Sequence, residues 1–178
     1  MLPNQCRIIW FTGLSGAGKS TLADEVLMYL TAKGVKSRLI DGDDVRKSMK
    51  VQKFTKSEII QNNERVIQLC NDIKDEFEYL LVAVIAPFSQ TRQKAREAFG
   101  GNYVEIYVKA SIEILEGRDT KGLYQKALTG RLNNLIGVDP EVPYEEPRFP
   151  ELIVDTDKET VETSVKKIVK FISNKTEL

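Results

Sequence analysis

Gly13, Gly16, Gly18, Lys19 and Ser20 are the residues most plainly spaced for chemistry. They fall in the pattern G-x-x-x-x-G-K-S, directly after the apolar run Ile8-Ile9-Trp10-Phe11. An apolar strand, a glycine turn and an amphipathic segment in succession are the setting in which this spacing builds a phosphate-binding loop. The glycines let successive N–H groups converge as an anion nest, and the helix starting near Gly18 adds the positive end of its dipole. Lys19 then reaches the β- and γ-phosphates of ATP, and the Ser20 hydroxyl can ligate Mg²⁺. The nucleotide set read from this motif is Gly13, Ser15, Gly16, Ala17, Gly18, Lys19, Ser20 and Thr21.

A second group lies at Asp41-Gly42-Asp43-Asp44, after a predicted strand. In-line phosphoryl transfer needs Mg²⁺ held on the phosphates and a carboxylate beside the attacking hydroxyl. Asp41 suits the first task, through water, and Asp43 the second. The same residues are ordinary turn formers, so the nearby phosphate loop is what gives them a chemical reading. Arg118-Asp119-Thr120-Lys121-Gly122-Leu123-Tyr124 suits a lid whose cations close over a transferring phosphoryl group. The chain has no histidine, which excludes a histidine base, a Ser-His-Asp triad and imidazole metal ligands. Tyr79 to Ile85 ends in no aspartate, which counts against motor-type ATPases. Asn174-Lys175 is followed by Thr176-Glu177, not by the pattern that reads guanine.

The elements that position these groups follow from periodicity. Leu22, Val26, Leu27 and Leu30 recur at helical spacing up to Gly34, and Val35 to Ile40 reads as a strand. Ser57 is the expected cap of a long helix carrying Ile60, Val66, Ile67, Leu69 and Phe77. Tyr79 to Ile85 is apolar throughout, as in a strand covered on both faces. A polar helix through Arg92, Lys94 and Arg96 precedes the strand Tyr103 to Val108, and a short helix starts at Ser111. Pro140, Pro143, Pro147 and Pro150 mark an extended segment before the strand Leu152-Ile153-Val154. Val161, Val165, Ile168, Val169 and Ile172 line the last helix. The reading is an α/β fold with a five-stranded parallel sheet and helices on both faces, residues 1–178 forming one domain with a lid at about 118–137. Ligands of such sheets sit beyond the carboxyl ends of the strands, where all of these motifs fall.

Lys plus Arg and Asp plus Glu number 26 each, so no net field favours nucleic acid or an anionic membrane. Cys6 and Cys70 show no metal or redox spacing and read as incidental thiols. With no leader or membrane-length apolar run, a cytoplasmic protein is expected.

Gly13 to Thr21, Asp41-Gly42-Asp43-Asp44-Val45-Arg46 and Lys121-Gly122-Leu123-Tyr124 together resemble adenylylsulfate kinase. That family has the P-loop nucleoside-triphosphate fold and moves the γ-phosphate of ATP to the 3′-hydroxyl of adenosine 5′-phosphosulfate. The resemblance implies an acceptor pocket of Asp43, Arg46, Phe54, Ile59, Asn62, Ile85 and Ala86, closed by Lys121, Asn134 and Leu135, with Arg118 over the ATP. It also implies a homodimer. Departures concentrate in the acceptor pocket. Ile59 stands where the family has an arginine, Leu135 where it has a stacking phenylalanine, and Ala86 and Ser89 where it has serine and arginine. A rewritten pocket implies a different acceptor, for which cytidine 5′-diphosphoramidate, used in capsule biosynthesis, is the expectation. A true adenylylsulfate kinase is the alternative.

Overall fold

The computed structural model describes residues 6–48, 55–119 and 121–174. Its strands are β1 (Arg7–Thr12), β2 (Ser37–Asp41), β3 (Tyr79–Ala83), β4 (Tyr103–Lys109) and β5 (Leu152–Asp155). They form one sheet in the order β2-β3-β1-β4-β5, and every pair is parallel. The helices are α1 (Lys19–Ala32), α2 (Gly42–Ser48), α3 (Lys56–Ile73), α4 (Ser89–Phe99), α5 (Ile112–Arg118), α6 (Leu123–Leu128) and α7 (Val161–Asn174).

β1 is central and buried on both faces because alternate side chains of a strand point to opposite sides. Ile9 and Phe11 join Leu22, Val26 and Leu30 of α1 and Ile168 and Ile172 of α7 in one apolar cluster. Ile8 and Trp10 join Val66, Ile67 and Cys70 of α3 and Ala95 and Phe99 of α4 in the other. The α/β reading with helices on both faces is therefore observed. Both cysteines are free, and burial pushes both thiols up. No helix among the described residues is long and apolar enough to cross a membrane.

Several boundaries differ from the sequence reading. Thr55, not Ser57, caps α3. Its side chain accepts from the Glu58 amide, and Glu58 reaches back to the Thr55 N–H at 3.2 Å, completing a capping box. That helix stops at Ile73, so Phe77 lies beyond it, after a 3-10 turn over Lys74–Glu76. β2 starts at Ser37 and runs one residue past Ile40, to Asp41. β3 ends at Ala83, leaving Val84 and Ile85 outside the sheet. Asp43 and Asp44 occupy the first turn of α2 and not an open turn, a place where the helix dipole favours acids.

Candidate active site

The carboxyl ends of β1, β2 and β3 open on one cleft. Its walls include Ser15, Gly16, Gly18, Lys19, Ser20, Thr21, Asp41, Asp43, Arg46, Ile59, Asn62, Ile85, Ala86 and Lys121. Gly13 has φ 152°, and a Cβ there would lie 2.2 Å from the Val108 carbonyl oxygen, so only glycine lets the loop leave β1 this close to β4. Gly16 at φ 80° curls the loop and Gly18 at φ 98° caps α1. Ala17 is buried and its N–H donates back to the Leu14 carbonyl at 3.2 Å. From the lid side, the Tyr124 hydroxyl donates to the Ser15 carbonyl at 2.8 Å.

Lys19 lies under this loop, 9 % exposed, its Nζ donating to the Leu14 carbonyl at 2.9 Å. Burial lowers its pKa to about 8, against the pull of Asp43 and Asp41. A buried ammonium beneath converging amides is a preformed seat for a polyphosphate.

The Ser20 hydroxyl donates to Asp41 Oδ2 at 2.6 Å, and the Asp43 amide holds Asp41 Oδ1 at 2.8 Å. Two hard oxygen donors at the rim of a phosphate loop fit Mg²⁺, which takes few protein ligands and fills its shell from water and phosphate. Asp43 itself is ion-paired with Lys121 of the lid. Burial raises its pKa, but Lys121, Arg46 and Lys19 together outweigh that and hold it below the ordinary carboxylate value. Arg46, one turn further along α2, is pulled down by burial against the opposing effect of Asp43 and Glu58.

The acceptor-side residues expected from sequence fall in two places among the described residues. Asp43, Arg46, Ile59, Asn62, Ile85, Ala86 and Lys121 meet in the main cleft. Asn134 and Leu135 line an adjoining apolar cavity with Leu123, Leu132 and Ile136, which Arg46 and Lys121 also border. Asn134 takes φ 60°, with its amide held by Asp139 at 2.9 Å. Phe54 lies outside the described residues. Arg118 is elsewhere. It donates to the Thr156 carbonyl at 2.5 Å and hydroxyl at 3.1 Å, walling a cavity behind the loop with Gly18, Thr21 and Glu159. Ile59 is buried against Phe88, Ile136 and Val142, giving the cleft an apolar end. Beside it Asn62 and Asn63 are both buried, and neither Oδ1 has a hydrogen-bond partner among the described residues.

Sequence reasoning missed Thr12, Tyr144, Arg92, Glu105 and Asn63. Thr12 donates to the Ile85 carbonyl at 2.6 Å and lies 3.0 Å from the Tyr144 hydroxyl. Arg92, read as part of a polar helix, is buried and pairs with Glu105 at 2.9 Å. A signal existed in Glu105, a lone acid inside the apolar run Tyr103 to Val108 that demands a cation.

A parallel sheet carrying a glycine phosphate loop, a buried lysine, a serine–aspartate pair and a second carboxylate paired to the lid at one edge defines a P-loop phosphotransferase with an alcohol acceptor. Residues 5–155 match the family model of adenylylsulphate kinase. The adenylyl-sulfate kinase of Clostridium kluyveri is 42 % identical over 169 residues, covering 94 % of this chain and 84 % of the relative. That of Halothermothrix orenii is 42 % identical over 173 residues, covering 94 % and 89 %. The Mycobacterium tuberculosis APS kinase solved in complex with AMPPNP and APS superposes with a TM-score of 0.88 at 28 % identity, covering 96 % of this chain and 99 % of that one. A gluconokinase from Sinorhizobium meliloti, 19 % identical with a TM-score of 0.65, shares the fold. The chain belongs to the adenylylsulphate kinase family.

Proposed function

We propose that this protein transfers the γ-phosphoryl group of ATP to the 3′-hydroxyl of adenylylsulfate. What supports the reading most is the Asp43 carboxylate, which shares the main cleft with the Lys19 loop, Arg46 and Asn62. The 42 % identity to adenylyl-sulfate kinases over nearly the whole chain points to the same acceptor.

In this scheme the loop amides and Lys19 bind the triphosphate and meet the charge that spreads over the transferring group. Ser20 and Asp41 would hold Mg²⁺, which would supply charge neutralisation for the transferring phosphoryl group. Asp43 accepts the proton of the 3′-hydroxyl as that oxygen bonds to the γ-phosphorus and the bond to ADP breaks. Lys121 closes from the lid, exchanging its Asp43 partner for phosphate and keeping water out. The assay is ADP release and 3′-phosphoadenylylsulfate formation from ATP and adenylylsulfate, with turnover expected. No product from that pair would remove the reading.

A second reading rests on the apolar end of the cleft. Ile59 and Ile136 present methyl groups, and Leu135 offers no ring for stacking. Cytidine 5′-diphosphoramidate, with a smaller base and a less anionic end, suits such walls. Comparing kcat/KM for the two acceptors separates the readings. Under the second, Ile59→Arg should shift preference toward adenylylsulfate by restoring a charged fork for its anionic end.

A further inference from the structure

The loop after β3, Ile85-Ala86-Pro87, forms the acceptor wall of the cleft. Ala86 has φ 43°, a left-handed conformation uncommon for a residue with a Cβ. Such strain persists only where the surroundings over-determine the backbone. Here each of the three carbonyls is gripped by a different element. Thr12 of β1 donates to Ile85 at 2.6 Å, Arg92 Nη1 of α4 to Ala86 at 2.6 Å, and the Glu145 amide to Pro87 at 2.9 Å. Because a peptide unit is planar and trans, fixing the Ile85 carbonyl turns the Ala86 N–H to the opposite side.

We infer that Arg92 is a positioning residue for the acceptor. Its guanidinium bolts the strained Ala86 turn to the segment around Glu145, so that the loop meets the incoming nucleotide in one fixed shape. The second fork nitrogen, Nη2, donates to the Glu145 carbonyl at 2.6 Å, and Nε pairs with Glu105 at 2.9 Å. Glu105 is braced in turn by Arg96 at 3.1 Å, and Arg96 by Glu151 at 2.5 and 2.9 Å. The Glu145 carboxylate takes the Ser89 amide at 2.7 Å and hydroxyl at 2.5 Å, closing the bracket from the other side. A buried charge pair is a weak source of net stability and is better explained by the geometry it enforces. Only a planar fork can serve two carbonyls and a carboxylate together; a lysine ammonium cannot. Arg92 touches no reacting group. The inference rests on the cleft taking a nucleotide acceptor and holds for either acceptor considered above.

The test compares wild type with Arg92→Lys and with the double variant Arg92→Met/Glu105→Leu, which removes both buried charges together so that neither is left unpaired. The KM for acceptor should rise about tenfold in both, as for a lost charged hydrogen bond, while the KM for ATP stays within about twofold. Hydrogen exchange without any substrate should speed up about tenfold at the amides of Ala86 and Phe88 and stay unchanged across Gly13 to Thr21. An unchanged acceptor KM, a parallel rise in both KM values, or unaltered exchange at Ala86 overturns the inference. If wild type turns over neither acceptor, the proposed function fails, and the exchange measurement still decides the role of Arg92.

Discussion

Replacing Lys19 with methionine should make the nucleotide-free protein more stable while destroying its activity. The ammonium is held at about 8 by burial, against an ordinary 10.5. At about 1.4 kcal/mol per pH unit, carrying that charge in the empty loop costs about 3 kcal/mol at neutral pH. Methionine keeps the volume and removes the charge, but it strips the Leu14 carbonyl of its donor, a loss of about 1 kcal/mol. The net gain is about 2 kcal/mol at pH 7, or about 4–8 °C in Tm for a domain of this size. Because the folded-state pKa is depressed, the folded chain binds fewer protons than the unfolded chain between about pH 8 and 10.5. Wild-type stability therefore recovers as pH rises through that interval, and by pH 10 the two proteins should agree within about 0.5 kcal/mol. Urea unfolding without nucleotide at pH 7 and pH 10 measures both values. Saturating ATP should then stabilise wild type by about 2.7 kcal/mol at a hundred times Kd and leave the variant almost unmoved. A variant less stable than wild type at pH 7, or a difference that does not change with pH, would refute the reasoning.

Asp43→Asn should lower kcat by about 10²–10⁴ with ATP binding retained, read by single-turnover ADP formation and nucleotide titration. Since Lys121 and Arg46 hold the Asp43 carboxyl low, activity should persist into the acidic range and fall only as pH drops through that depressed value. Lys121→Met removes the nearest cation of the empty cleft, so the acid limb of the kcat/KM profile, which reports the free enzyme, should move to higher pH. Gly13→Ala forces a Cβ to 2.2 Å from a main-chain oxygen; a destabilisation of about 3 kcal/mol or more is expected by chemical denaturation, together with loss of ATP binding. Arg118→Ala frees Thr156 behind the loop and should raise the KM for ATP about tenfold while sparing the acceptor KM.

The sheet was legible because its information is local. Ile8 to Phe11 and Tyr79 to Val82 are continuous apolar runs, Tyr103 to Val108 is one broken only by Glu105, and strands buried on both faces in a parallel sheet read that way. The phosphate loop was equally open, its glycines being required by backbone conformation at fixed spacing. The start of α3 was legible too, but a different hydroxyl was chosen. Thr55 has glutamate three residues on and Ser57 has Ile60, so the reciprocal capping pattern points to Thr55. Where β3 ends could not be read, because Val84 and Ile85 are as apolar as the strand itself. Beyond it the Ile85 carbonyl is taken by Thr12, 73 residues away, a contact no local pattern encodes. Arg92 misled for the same reason. Its helix is polar in composition, and only the fold brings Glu105 and the Ala86 carbonyl to it.

Two of the strained backbone positions lie at the cleft and the cavity that adjoins it. Ala86 at φ 43° and Asn134 at φ 60° are non-glycine residues in left-handed conformations, each held by a long-range or loop contact that no local pattern encodes. Lys19 belongs with them in energetic terms: the sheet gains nothing from a buried ammonium, and the charge becomes favourable only beside an anion. Asp43 is kept ionised by Lys121, Arg46 and Lys19, while Asp41 also faces Lys19 and Glu58 also faces Arg46. These cations can exchange carboxylate partners for the phosphate oxygens of a bound triphosphate. Local rules are broken here because the cleft is complementary to a ligand and not to itself, which is the physical ground for placing function at this edge of the sheet.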